Sequence, residues 1–133
     1  MSLAASAVQE AVVAALRDSV PVMASVSGVY DGPAPRAAFP YVSIGGGPNS
    51  DWSTKTEAGR EIRVALTVWD DGEEPARLHA LMHHVEEAVA GMARDLEGWR
   101  VASIAFVRSL VVRDPTGPWA GLVEHRVRVM EAD

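Results

Sequence analysis

Between Arg60 and Asp70 the chain alternates with a period of two. Ile62, Val64, Leu66 and Val68 fall on one side of an extended backbone, and Arg63, Ala65, Thr67 and Trp69 on the other. This pattern predicts a central strand with one face sealed by helices. The period then changes. Leu78, Leu81, Met82, Val85, Val89 and Met92 recur at spacings of three and four, which predicts a helix over 75–92. Glu73-Glu74-Pro75 suits its first turn, where carboxylates and proline are favoured, and Gly91 suits its end.

The same reading extends outward in both directions. An Ala-rich stretch with Val8, Val12, Ala15 and Leu16 on one stripe predicts a first helix over 3–17. After Pro21, short turns are expected as far as Ser27. Val29-Tyr30-Asp31-Gly32 predicts a short edge strand, and Pro33, Pro35 and Pro40 predict an irregular surface crossing. Tyr41-Val42-Ser43-Ile44 predicts a second strand that Gly45-Gly46-Gly47-Pro48 ends or loosens. Residues 45–58 are read as a flexible arm or long loop, or, given the extended propensity from Trp52 through Thr56, as a long hairpin with a partly ordered arm. A further strand begins at Trp99, with Val101, Ser103, Ala105 and Val107 on one side and Ala102, Ile104, Phe106 and Arg108 on the other. Leu110-Val111-Val112 continues it after a kink, 113–118 turns, and a last strand spans about 119–130. The expectation is one α+β domain over 1–133: a small, mainly antiparallel sheet with two helices packed on one face.

Composition narrows the function classes. With 133 residues the chain suits a single core, and 48% apolar residues are enough to fill it. The formal net charge of −6 argues against a general nucleic-acid-binding surface. The absence of cysteine excludes a disulfide scaffold and thiol catalysis. No basic region followed by an apolar run marks a signal peptide, and no apolar stretch reaches the roughly 18 residues of a membrane span. A cytoplasmic compartment is expected.

Candidate chemistry is thin. The three glycines at 45–47 lack the Lys and Ser/Thr of a phosphate loop. His79 and His83 stand one helical turn apart with Glu87 beyond, yet without the His-Glu-x-x-His pattern of a zinc hydrolase; solvent or interface positions are expected for the histidines. Asp70, Asp71, Glu73 and Glu74 crowd one connector and are read as turn-forming and helix-capping groups, not an acid–base pair. Ser43 and Ser103 are ordinary strand positions, so no enzyme and no cofactor is expected. Arg60, Arg63, Arg126 and Arg128 are read as a group that forms contacts between subunits or keeps a sheet face soluble. Trp52, Lys55, Trp69 and Trp119 join them as candidate interface residues.

Several segments together carry a resemblance. Val-Tyr-Asp-Gly-Pro-Ala-Pro stands at 29–35, Ala-Phe-Pro-Tyr-Val-Ser-Ile at 38–44 and Asp-Trp-Ser-Thr-Lys-Thr at 51–56. Gly-Arg-Glu-Ile-Arg-Val-Ala-Leu-Thr-Val-Trp follows at 59–69, and Arg-Asp-Pro-Thr-Gly at 113–117. In order, spacing and chain length this resembles the tail-completion, or tail-terminator, proteins of long-tailed bacteriophages and phage-like gene transfer agents, over about 3–130. The resemblance implies a homo-oligomeric ring, usually a hexamer, that ends the tail tube and joins it to the head-neck connector. Its implied partners are the tail tube protein, a neck or head-completion protein and the tape-measure protein, while DNA passes through the lumen without specific binding. It also implies assembly in the host cytoplasm and a final place at the head–tail junction of a particle. Another ring component of the neck or tail is the alternative.

Overall fold

A computed structural model describes residues 3–34, 36–113, 115 and 117–132. Its elements in chain order are α1 (Ala4–Arg17), α2 (Val20–Met23), β1 (Val29–Asp31), β2 (Tyr41–Asp51), β3 (Gly59–Asp70), α3 (Ala76–Ala90), β4 (Asp95–Leu96), β5 (Trp99–Arg113) and β6 (Trp119–Glu131). The six strands form one curled sheet in the order β1-β2-β3-β6-β5-β4. Every neighbouring pair is antiparallel except β1 with β2. The fold is therefore α+β, with helices on one face of a mainly antiparallel sheet.

The register between β3 and β6 sets which side is the core. Ile62 faces Val127, Val64 faces His125 and Leu66 faces Val123 across this pair. All of these side chains are buried, so two adjacent alternations turn the same way. On β2, Val42 and Ile44 extend the face. Ala7, Val8, Val12 and Leu16 of α1, with Leu78, Leu81, Met82, Val85 and Val89 of α3, close over it. Close approach is built into the strand at Gly121: a Cβ there would lie 2.6 Å from Met82 Sδ. A larger residue there would force Met82 and Leu78 of α3 to shift away from β6.

Three expectations need correction. First, the glycine-rich stretch does not end β2, which runs on to Asp51 paired with β3. The strand accommodates it through a register shift between Gly46 and Asn49. Gly47 is essential to that shift, because a Cβ would meet the Arg63 carbonyl oxygen at 2.6 Å. Beyond it, 52–58 forms a hydrogen-bonded turn: Trp52 N donates to Gly59 O at 2.9 Å and Thr54 N to Glu57 O at 2.9 Å.

Second, neither alternation expected for 101–108 holds throughout. Val101 pairs with inward-facing Val129, whereas Ser103 pairs with outward-facing Arg128. Phe106 pairs with His125 and Arg108 with Glu124, again on opposite faces. Register shifts between Val101 and Ser103 and between Phe106 and Arg108 each add one residue and reverse the faces. Third, no carboxylate caps α3, whose N-cap is Pro75 without a side-chain bond. Asp70 is instead fully buried at the end of β3 and accepts hydrogen bonds from Arg77 on the first turn of α3 and from Asp71 N.

The short strands β4 and helix α2 were not foreseen as elements; α2 takes Ser19 as its cap, whose Oγ accepts from Val22 N. Pro35, Asp114 and Thr116, within the expected crossing and turn, lie outside the described residues.

Leu81, only 2% exposed, sits where α3 meets the sheet. Leu81→Ala is expected to lower unfolding free energy by about 2–5 kcal/mol in chemical denaturation, through lost transfer energy and a residual cavity. A change below about 1 kcal/mol would contradict this packing.

Candidate assembly face

Opposite the helices, the sheet presents side chains from alternate positions of β3 and β6. Glu61 lies across from Arg128, Arg63 from Arg126 and Ala65 from Glu124. Glu124 accepts from Arg63 Nη1 at 3.1 Å and from Arg108 Nε at 2.9 Å. These two guanidiniums hold its carboxyl below the usual carboxylate range, Arg108 being the stronger influence. Glu61 accepts from Arg128 Nε at 2.9 Å and lies 3.9 Å from Arg126 Nε. Arg128 also stands over the Trp52 ring at 5.3 Å. The face is thus a ladder of arginines held by two carboxylates. Half-exposed ion pairs of this type contribute about 0–1 kcal/mol each, so the ladder orients side chains more than it stabilises the fold.

The structure brings together Trp52, Arg63, Arg126 and Arg128 from the expected group and separates the others. Arg60 is exposed at an even-numbered position of β3, so it stands on the opposite face from Arg63. Lys55 is exposed in the turn after β2. Trp69 lies at the far end of the outward face, where its Nε1 donates to Ser43 Oγ at 3.1 Å and its ring stacks on Tyr41. Trp119 donates from Nε1 to Gly72 O at 2.8 Å and carries Arg113 over its ring at 4.3 Å.

Sequence reasoning missed the exposed half of β5. Phe106 is 51% exposed, Leu110 53% and Val112 49%, with Val107 and Leu122 also exposed. Leu110 and Val112 face outward beside Leu122 and Ala120, while Phe106 is on the helix side, beyond the helices' cover. The available signal was the run Leu110-Val111-Val112, apolar on successive positions and hence on both faces. Together these side chains leave a strand of the sheet with exposed apolar surface outside the helices' cover.

A groove of about 450 Å³ on the outward face is lined by Tyr41, Ser43, Thr67 and Trp69 with small residues, and no carboxylate, histidine or lysine lines it. Among the described residues no group of three His, Asp or Glu side chains could hold a metal; His83 Nε2 lies 3.0 Å from Glu87 Oε1 on the surface of α3. Among the described residues no helix is long and apolar enough to cross a membrane.

Comparison with known proteins decides the family. Residues 10–130 match the family model described as tail completion protein gp17. The chain belongs to this tail-completion family. The tail completion protein gp17 of Bacillus phage SPP1 is 30% identical over 115 residues, covering 86% of this chain and 85% of the relative. A chain of the virion of a native gene transfer agent particle superposes with a TM-score of 0.84 at 30% identity, covering 97% of this chain and 99% of that one. The structure of SPP1 gp17 superposes with a TM-score of 0.66 at 25% identity, covering 99% and 93%. As a tail-completion protein, the chain serves the assembly of a phage or phage-like particle, in a family whose role is structural.

Buried His125 gives this tail-completion protein a defined acid response. It is 2% exposed, its Nδ1 has no hydrogen-bond partner, and the Phe106 ring meets it edge-on. Burial pushes its pKa below the ordinary 6.5. The unfolded chain therefore binds a proton before the folded chain does, and stability falls as pH drops through about 6.5 toward the folded-state value. Asp70 and Glu124, both lowered, lose their contributions only below their ordinary values of 3.8 and 4.5. Resistance to urea unfolding is expected to decline as pH falls from about 7 to 5, and His125→Leu to flatten that decline. An unchanged slope in the variant would assign it to another group.

Proposed function

We propose that the chain forms a homo-hexameric ring that ends the tail tube and joins it to the head-neck connector. The observation that carries this reading is the near full-length likeness to a chain of a gene transfer agent virion, at a TM-score of 0.84. The sheet adds physical support. Its unpaired strand half and exposed apolar side chains are features that closed symmetry covers without endless growth. In this reading the ring meets the tail tube protein on one side and a neck or head-completion protein on the other, with the tape-measure protein nearby. DNA crosses the lumen without specific binding. A net charge of −6 suits passage, since strong phosphate attraction would hold the DNA. The chain folds in the host cytoplasm and ends at the head–tail junction.

Residues 45–58 act as an arm toward a neighbouring subunit or the tube. From Gly45 to Asp51 every residue is exposed, so the arm contributes little to the core. Deleting the gene from its producing system is expected to give overlong tails, or tails unable to join heads, in electron micrographs. Complementation with a chain lacking 46–57 should leave that defect in place while the purified variant still unfolds cooperatively. Normal tails on functional particles after gene deletion would refute the proposal. Tails of normal length that fail only at head joining would favour a neck-ring role over tube termination.

A further inference from the structure

The sheet face away from the helices carries a surplus of guanidinium groups. Arg63, Arg108, Arg126 and Arg128 stand on three adjacent strands, with Glu61 and Glu124 as the carboxylates between them. Together these six side chains are formally +2 in a chain of −6, which leaves −8 for the remainder. The carboxylates are also the deeper groups. The side chains of Glu124 and Glu61 are 21% and 23% exposed, against 31% to 32% for Arg63, Arg126 and Arg128 and 73% for Arg108. The charge nearest solvent is therefore positive. Nor are all the donors used: Arg126 Nε is closed off from solvent, has no hydrogen-bond partner and lies 3.9 Å from Glu61 Oε1.

We infer that this face meets the phosphates of duplex DNA, and that Glu61 and Glu124 are tethered stand-ins that keep the contact weak. This rests on the reading that DNA crosses the ring, and it names the surface the DNA meets. A guanidinium fork binds a phosphate much as it binds a carboxylate. A phosphate arriving at the face takes over donors that a glutamate holds, and the glutamate takes them back as the phosphate leaves. Arginines without such partners would hold the duplex; arginines with them release it.

The layout favours a repeating anion over an acidic protein surface. Arg126 and Arg128 are two residues apart on β6, or roughly 7 Å. Arg63 stands directly across from Arg126 on β3, one strand spacing of about 5 Å away. Ala65 lies across from Glu124, and Ala105 and Ser103 across from Arg126 and Arg128, so small side chains separate the charged ones. A duplex backbone offers charge all along its length and needs no fixed register on such an array. An acidic protein patch would need its carboxylates placed to match. With a surplus of two charges, log affinity should fall against log salt with a slope of about −2. Freed of both carboxylates, the same four arginines would give about −4.

The test titrates the isotopically labelled full-length chain with short duplexes of two unrelated sequences, reading the arginine Nε–H signals by NMR, which registers weak contacts residue by residue. Salt is varied from about 20 to 200 mM. The signals of Arg63, Arg126 and Arg128 are expected to move alike for both sequences, while that of Arg60, on the opposite face, stays. Glu61→Gln together with Glu124→Gln should tighten binding about tenfold at the lowest salt and steepen the slope from about −2 toward −4. Arg126→Gln together with Arg128→Gln should abolish binding, and Arg60→Gln should leave it unchanged. Urea unfolding checks each variant; if the carboxylate variant fails to fold, the arginine pair and the Arg60 control decide alone. No movement in the natural chain at the lowest salt, unchanged affinity in the folded carboxylate variant, or equal loss in Arg60→Gln overturns the inference. Polyglutamate that moves the same signals as strongly as DNA overturns it too, by assigning the face to an acidic protein. Because binding is read on the free chain, any of these failures leaves the ring and its place on the tail to the tail-length experiment.

Discussion

The pairing of β3 with β6 is the constraint from which the remaining structure follows. A strand's side chains alternate, so a register change of one residue would turn every apolar position of one strand outward. In the observed register, Ile62, Val64, Leu66 and Val68 share a face with Val123, Val127 and Val129. That shared face is wide enough for two helices side by side, and it commits all the helical cover to one side. The opposite side is left to arginines, carboxylates and a few rings. Among the described residues no helix covers that second face.

Burial energy and surface charge are therefore divided between the two sides. Fully buried aliphatic side chains contribute about 1.5–3 kcal/mol each by leaving water, and they lie on the helix side. The outward ladder of Arg63, Glu124, Arg108, Glu61 and Arg128 contributes little to folding but fixes a charged relief. His125 sits where the two roles meet. It is buried under the end of the core, and its ring contacts Phe106 on the uncovered half of β5. A partner covering Phe106 would further exclude water from His125 and strengthen the preference for its neutral form.

How much of this could be read in the chain depends on the distance over which each signal acts. The β3 alternation and the α3 stripe are local and strong, and both elements appear within a residue or two of expectation. At Gly45-Gly46-Gly47-Pro48 the long-hairpin reading holds and the reading that the glycines end the strand does not: propensity there points to a loop, while pairing with β3 and close approach to Arg63 hold it as strand. The faces of β5 were misread because each register shift is invisible until the partner strand is known. Asp70 belonged to an acidic run whose members looked equivalent, and only the position of Arg77 on α3 selects it for burial. For the candidate face, residue types were recognisable but placement was not. Arg63, Arg126 and Arg128 converge, Arg60 turns away, and the exposed apolar half of β5 emerges only once the extent of the helices is known.

An electron cryo-microscopy map of the producing particle, resolved well enough to trace this chain, tests the central claim most directly. The account predicts six copies in one ring at the head-proximal end of the tail tube, with the outer edge of β5 covered by a neighbouring copy. A chain absent from that position, or present there with residues 103–113 open to solvent in every copy, would contradict it.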